Sequence, residues 1–569
     1  MYSSSPIITH QEITSKSGMV VAQHRYAAQI GVEVLQRGGN AVDAAVASAF
    51  ASGVLLPIWN GVGGGGVMNV HLDGESSGEL GGTVDFGMQA PGLAHSDMYE
   101  LEDQLDVQSP SARFSWPKVK NNANTEGYTS IAIPGTVAGL SVALEKWGTI
   151  DLDQAVAPAV KLAREGFSLS RTVALAMAEK YALLSRFPVT RKIYLNNDSP
   201  LSAGAHFVQK EHAETLERLG QLGASDMYGG ETSARIAEDV EKNGGYLRLS
   251  DFEQYKPIIT EKFFPGNYRG LNVSAVGGPC AGPTVVEILH ILEAFDLTSM
   301  GHGTPDFFHT MIEAIKLAAV DRFTFMGDPS INGFPIESLG NLEYGRSRAS
   351  QIDIAAASAF SSGDPWTFAG IEKPCEFPAQ AGIAPDSGTT SLATADKQGN
   401  MVALTQTNLA FSGVVNPGVG VMMNDAMGWS NPMPGTVNSI APFARALNNM
   451  TPTILHDDGR AVMAIGGSGG RKIWPAVVQV IVNRVDFGMS LQEALEQPRV
   501  HVESDAPIID PRYGKDLMVE LTSRGHHCSF PPSEYVLWPF SEPNGITFNE
   551  GLLKSGLTPQ TKPAHAAGY

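Results

Sequence analysis

Asp386-Ser387-Gly388-Thr389-Thr390-Ser391-Leu392 is the stretch on which the reading of this chain turns. A loop of small residues ends in glycine, and an alternating, strand-like run begins at Thr389. A cut between Gly388 and Thr389 would leave the threonine with a free α-amino group beside its hydroxyl. Nucleophile and base would then sit on one residue, as in N-terminal threonine enzymes. The reference pKa of such an amine, roughly 7.7–8.0, suits general-base work near neutrality. Glycine before the cut leaves the carbonyl unshielded and tolerates a strained backbone.

Downstream of Thr389 the pattern predicts two hairpins. One joins Thr390–Ala395 to Met401–Thr407 through Asp396-Lys397-Gln398-Gly399-Asn400. The other joins Pro452–His456 to Arg460–Ile465 through Asp457-Asp458-Gly459. Gly466-Gly467-Ser468-Gly469-Gly470 then leads into an apolar helix from about Ile473 to Val485, and Ser490-Leu491-Gln492-Glu493 caps another. Upstream, residues 346–385 are small, polar and irregular, the natural place for a mobile linker.

Earlier still, helical patterns dominate. A strand at Gly18–Ala22 precedes a helix from about Ala27 to Arg37, which Gly38-Gly39-Asn40 stops. An Ala-rich core helix follows from Ala41 towards Leu56, and Thr304-Pro305-Asp306 opens a later helix. Ser250-Asp251-Phe252-Glu253 reads as a capping box, and the polar run Ser109–Gly127 as a surface insertion. Gly61-Val62-Gly63-Gly64-Gly65-Gly66 follows a helix and precedes a strand, the reverse of a dinucleotide fingerprint, and lacks the Lys-Ser/Thr of a P-loop. It reads as a backbone turn in which only glycine fits. Strands flanked by long helices on both sides imply layered packing.

The 569 residues are 43% hydrophobic and 17% charged, so a large buried core is expected. A net charge of −20 argues against nucleic acid and anionic membranes as partners. Cys280, Cys375 and Cys528 are far apart, with no CxxC, and read as free thiols rather than a disulfide framework or zinc site. No cofactor and no metal are expected. With no basic-then-apolar leader and no apolar run long enough to span a bilayer, the reading is a soluble, cytoplasmic protein.

At the level of ordered motifs the chain resembles the gamma-glutamyltransferase family of self-cleaving N-terminal-nucleophile (Ntn) hydrolases. Gly38-Gly39-Asn40-Ala41-Val42-Asp43-Ala44-Ala45, Gly63–Gly66, Ile133–Gly139, Lys316-Leu317-Ala318, Asp321-Arg322 and Gly327-Asp328-Pro329 carry the N-terminal part. Gly388-Thr389-Thr390, Asp396–Asn400, Met450-Thr451-Pro452-Thr453 and Gly469-Gly470 carry the C-terminal part. The resemblance implies an α+β fold, the four-layer αββα sandwich with a large helical N-terminal subunit wrapped around it. It implies a proenzyme: residues 1–388 become the large subunit, with 346–388 a mobile linker before the cleavage site, and 389–569 the small catalytic subunit. Thr389 would be the nucleophile, Thr407 its orienting hydroxyl or an ordinary strand threonine, and Gly469 and Gly470 the oxyanion hole. Ser468 also satisfies G-x-S-x-G, with Asp510 and His526 downstream, though no topology supports that elbow.

The departures concern the donor pocket. Family members that bind a γ-glutamyl group grip its α-carboxylate with an arginine, and its counterpart here is Gly87 in Asp85-Phe86-Gly87-Met88-Gln89-Ala90-Pro91. Of the acceptors for the α-amino group, Asp425 remains in Asn424-Asp425-Ala426-Met427-Gly428, while Gly428 replaces the last aspartate. Asn448 and Asn449 stand for paired serines, and Leu409 for an asparagine, with Asn408 one place away on the opposite face. Both charge-assisted anchors of an amino-acid head group are thus absent. Met422, Met423, Met427 and Trp429 suggest a more apolar donor site, or are core residues.

The expected activity is therefore a threonine amidohydrolase or acyltransferase working through an acyl-Thr389 intermediate on a small-molecule amide. Candidates are cephalosporin-acylase-like side-chain removal, an oxamate-type amide, or a tailoring step on a natural product. One alternative is a true γ-glutamyl hydrolase or transpeptidase acting on glutathione and its conjugates, with Arg445 or Arg471 holding the carboxylate. The other is an unprocessed, non-catalytic member.

Overall fold

The computed structural model describes residues 11–73, 80–102, 116–373, 388–503, 506–531, 540–558 and 563–569. Asp386, Ser387, Cys375, linker residues 374–387 and the first part of the 109–127 insertion lie outside the described residues.

Two seven-stranded sheets dominate. Their strands, numbered along the chain, are β1 Thr14–Ser15, β2 Gly18–Ala22, β3 Gly65–Leu72, β4 Leu80–Phe86, β5 Ile258–Thr260, β6 Phe264–Tyr268 and β7 Leu271–Ala275 before the candidate cut. After it come β8 Thr390–Asp396, β9 Met401–Thr407, β10 Thr453–Asp457, β11 Arg460–Ser468, β12 Glu542–Asn549, β13 Leu552–Leu557 and β14 His565–Gly568. One sheet runs β1-β13-β12-β11-β10-β7-β6, the other β14-β2-β8-β9-β3-β4-β5. The residues before Gly388 therefore supply three strands of the first sheet and four of the second, as well as most of the helices.

Strand alternation assigns the layers. In β2, β8 and β9 the residues Met19, Val21, Ala393, Ala395, Met401 and Ala403 face the other sheet, packing with Ile454, Ala464 and Ile546. Their neighbours Val20, Ala22, Leu392, Val402 and Leu404 face the opposite way, onto the helices Arg25–Gln36 and Ala41–Leu55. On the far side Leu455, Met463 and Ile465 pack against the helices Gly282–Leu292, Pro305–Phe325 and Ile473–Val485. The order is helix, sheet, sheet, helix. The small inner residues let the two sheets lie close. The helix Ala41–Leu55 is buried along its whole length, as its Ala-rich composition predicts.

Both expected hairpins form, with Thr390 opposite Gln406 and Thr453 opposite Ile465. The expected capping box at Ser250 is displaced: that helix starts at Leu249, and Asp251 reaches back to the Arg248 N–H at 2.7 Å. The glycine run 61–66 is a turn at a close backbone crossing, where a Cβ on Gly64 would lie 2.2 Å from the Thr407 carbonyl oxygen. Within the expected linker, residues 353–363 follow one face of the helix Pro305–Phe325. His309 meets the Asp353 carbonyl at 2.8 Å, Glu313 accepts from the Ser358 N–H at 2.9 Å, Lys316 donates to the Ser358 carbonyl at 2.6 Å, and Asp321 accepts from the Gly363 N–H at 2.7 Å.

Candidate active site

Thr389 stands immediately before β8, an interior strand of its sheet, and is 2% exposed. β8 is held on one side by β2 and on the other by β9, so its head is fixed from both flanks. The pairing of Thr390 with Gln406 brings the end of β9, Thr407, level with Thr389. The Thr407 hydroxyl donates to the Gly388 carbonyl oxygen at 2.8 Å and accepts from the Leu409 N–H at 2.8 Å. It therefore addresses the carbonyl ahead of Thr389. The indole of Trp59 lies against the same glycine: a Cβ on residue 388 would sit 1.4 Å from its Cδ1.

Gly469 and Gly470 close the end of β11, where the chain enters a short 3-10 turn and then the helix Ile473–Val485. Their φ values of +127° and +60° turn the backbone out of the strand, a path that favours glycine. This segment approaches the head of β8. A Cβ on Gly466 would lie 2.6 Å from the Ser391 Oγ. The buried Gln23 spans the two strands, accepting from the Ser391 N–H at 3.2 Å and donating to the Ser468 Oγ at 2.6 Å. The Ser541 hydroxyl donates to the Ser468 carbonyl at 2.8 Å. The elbow reading of Ser468 does not assemble: Asp510 is paired with Arg512 at 2.7 Å, and the His526 ring with His309 at 2.8 Å.

The donor-pocket positions are arranged around buried charges. The Gly87 N–H donates to the Asp85 carboxylate at 2.8 Å, and the Gly87 carbonyl accepts from the Tyr255 hydroxyl at 2.9 Å. A Cβ on Gly87 would lie 3.9 Å from the Arg445 Cδ, so an arginine does stand beside this glycine. That arginine is already engaged. Its Nε is 3.8 Å from Asp85, its Nη2 donates to the Lys256 carbonyl at 2.6 Å, and its guanidinium lies over the Tyr255 ring. Burial raises the Asp85 carboxyl, with Arg445 opposing. Arg471 is paired with Glu503 at 2.8 Å and lies over the Phe323 ring. Burial alone would raise the Glu503 carboxyl, but Arg471 and His501 overcome it and bring it to about 2.

Asn448 and Asn449 sit in a loop pinned by Arg322. This guanidinium donates to the carbonyls of Cys280 and Asn448 and to the Asn449 Oδ1. Burial, then repulsion from Arg471, pulls it down to about 9. The Asn448 amide is 3.5 Å from the Cys280 sulfur, and its Oδ1 accepts from the Met450 N–H. Asp425 is fully buried. Its Oδ1 accepts from the N–H groups of Ala410 and Phe411 at 2.9 and 2.8 Å, and burial lifts its carboxyl to about 7. Met422 and Met423 belong to the helix-packed core. Met427 and Trp429 join Met88, Leu409 and Met450 in a separate apolar cluster. Among the described residues no group of three or more His, Cys, Asp or Glu side chains is arranged to hold a metal, and no helix is long and apolar enough to cross a membrane.

Sequence reasoning singled out Thr389, Thr407 and the glycine pair, and passed over Trp59 and Gln23. No local pattern marks these two, because their partners lie hundreds of residues away along the chain. Asp321-Arg322 was visible as a motif, but its hold on the 448–449 loop was not.

A four-layer αββα sandwich with a threonine at the head of a central strand, and a glycine turn closing the facing strand, defines an Ntn-hydrolase type of enzyme. The chain belongs to the gamma-glutamyltranspeptidase family, whose model matches residues 27–568. It is 33% identical over 90% of its length to a glutathione hydrolase proenzyme of Escherichia coli K12, covering 86% of that protein. It is 32% identical over 90% of its length to an acylase ACY 1 proenzyme of Pseudomonas sp. strain V22, covering 87% of that protein. Among solved structures, a cephalosporin acylase from Bacillus halodurans superposes with a TM-score of 0.85 at 26% identity, covering 100% of this chain and 98% of that one. A Helicobacter pylori gamma-glutamyltranspeptidase chain matches with a TM-score of 0.53 at 32% identity, covering 58% of this chain and 90% of that one.

Proposed function

We propose that the chain is a precursor that cuts itself between Gly388 and Thr389, and that the product is an N-terminal threonine acylase acting on a small amide with an apolar acyl group. The observation that carries the cleavage is the 2.8 Å hydrogen bond from Thr407 to the Gly388 carbonyl. Attack by the Thr389 Oγ on that carbonyl carbon pushes charge onto the oxygen Thr407 already contacts. The C–N bond then breaks as the Thr389 nitrogen takes a proton, leaving an ester between Gly388 and the Thr389 oxygen. Water hydrolyses the ester, giving a Gly388 carboxylate and a free Thr389 amine.

In the product the amine takes the hydroxyl proton as Thr389 attacks the substrate carbonyl, and returns it to the leaving amine. The N–H groups of Gly469 and Gly470 serve the oxyanion, a term worth about 3–4 kcal/mol for a donor. Water, or an acceptor amine, releases the acyl group from Thr389. The word proenzyme in the names of the glutathione hydrolase and acylase relatives supports processing of one precursor.

The apolar donor rests on Gly87 and Gly428, where no charged side chain is offered, and on Arg445 and Arg471, both already paired with acids. The likeness to the cephalosporin acylase agrees with it. A second reading, hydrolysis of glutathione, is favoured by relatives bearing that name. Denaturing electrophoresis with N-terminal sequencing tests the cut: two bands, the smaller starting at Thr389, are expected, and Thr389→Ala should give one inactive band. Side-by-side turnover of glutathione and of cephalosporin-type and other apolar acyl amides, with mass detection of acyl-Thr389, separates the two substrates. Faster release from glutathione would reject the apolar donor.

A further inference from the structure

Asp425, the acid one would assign to substrate, is wholly buried and faces backbone. We propose that it is a positioning residue for the Gly388–Thr389 cut, holding the 409–411 loop so that the Thr407 hydroxyl points at the Gly388 carbonyl. This rests on the processing proposed above.

A threonine hydroxyl carries one hydrogen and rotates freely unless its lone pairs are engaged. For Thr407 to keep that hydrogen on Gly388, a donor must occupy the oxygen from another side. The Leu409 N–H does so at 2.8 Å. The loop that follows is unusual, because Leu409 adopts a left-handed backbone, with φ of +66°, and Phe411 does the same at +83°. Neither has the freedom of glycine, so both positions hold the backbone in a disfavoured conformation. A loop of this kind persists only when its surroundings determine it.

Asp425 is what determines it. One carboxylate oxygen accepts from both Ala410 and Phe411, and the Asp425 N–H donates to the Asn408 carbonyl at 3.3 Å. Asp425 is fixed in turn by its neighbour. The Asn424 amide donates to the carbonyls of Gly63 and Ala132 at 2.7 and 2.9 Å and accepts from the N–H groups of Ala132 and Ala426. Hydrogen bonds joined by two short backbone links, 424–425 and 408–411, therefore connect the glycine turn at 63 with the Thr407 hydroxyl and the Gly388 carbonyl.

The test follows processing from the moment of cell-free synthesis, by denaturing electrophoresis, in a double-mutant cycle. Asp425→Leu is expected to slow the cut about tenfold to a hundredfold, as Thr407→Val does, since both remove one aligned donor from a growing oxyanion. The double variant should be no slower than Thr407→Val alone. Asp425→Asn keeps the accepting oxygen and should process close to the wild-type rate, whatever its thermal stability. If Asp425→Leu does not fold, the comparison is made with Leu409→Gly and Phe411→Gly also present, which removes the left-handed cost. Wild-type speed in Asp425→Leu, or rates that multiply in the double variant, would overturn the positioning role. A wild-type chain that stays whole, or is cut elsewhere, overturns the processing reading instead.

Discussion

The indole of Trp59 occupies the space where any side chain on residue 388 would have to go. A Cβ there meets Cδ1 at 1.4 Å, closer than any non-bonded contact. Trp59 is itself tied to the end of β9, its carbonyl accepting from the Asn408 N–H at 3.0 Å. The residue before the candidate nucleophile is thus held by packing as well as by the Thr407 hydroxyl.

Gly388→Ala should therefore slow processing by at least about tenfold, because the scissile carbonyl must move or the indole must leave. Trp59→Ala in the same chain should restore part of the rate by opening that space. Band ratios over time measure both. No recovery in the double variant would assign the defect to the backbone of residue 388 rather than to the indole.

Gln23→Leu removes the amide that joins Ser391 in β8 to Ser468 in β11. Loss of a buried partner should cost about 1–3 kcal/mol in urea unfolding. Because Ser468 directly precedes the glycine pair, kcat should fall with KM nearly unchanged. A KM effect alone would place Gln23 in substrate binding instead.

Arg445→Leu separates the two substrate readings. If Arg445 serves Asp85, its loss strands a buried carboxylate and should destabilise the protein by about 3–5 kcal/mol. If it serves a γ-glutamyl carboxylate, stability should change little while KM for glutathione rises. Melting and kinetics on the same preparation distinguish the outcomes, and the first is expected from the 3.8 Å pair.

Asp425 makes stability depend on pH in a calculable direction. Burial lifts its carboxyl from 3.8 to about 7, so the folded chain holds the proton more tightly than the unfolded one. Its favourable contribution is full below pH about 4 and is lost as pH rises towards 7. At 1.36 kcal/mol per unit, about 3 kcal/mol should disappear between pH 5 and pH 8. Asp425→Asn should lack that decline. Urea unfolding of both in a Thr389→Ala background keeps the chains whole, and parallel curves would place the carboxyl's titration elsewhere.

Much of this enzyme is written locally. The Ala-rich helix at 41–55, both hairpins, and the glycine turn before Ile473 follow from periodicity and turn chemistry that a few neighbouring residues determine. Gly388-Thr389 also stands out locally, as a glycine and threonine just ahead of the strand Thr390–Asp396. The Ser250 cap was misplaced because the start of that helix is set by where the Asp251 carboxylate reaches, which also includes the Gly92 N–H far along the chain.

The tertiary structure alone decided which polar groups serve the head of β8. Gln23 stands 368 residues from Ser391 and 445 from Ser468, and becomes their bridge only because two sheets pack face to face. Trp59 meets Gly388, Arg445 meets Asp85, and Asp425 meets the Ala410 and Phe411 N–H groups for the same reason. Hydrophobic alternation specifies which face of each strand is buried. It carries no record of which buried side chain will stand opposite. That pairing emerges only when the layers close and buried donors and acceptors meet the partners within their reach.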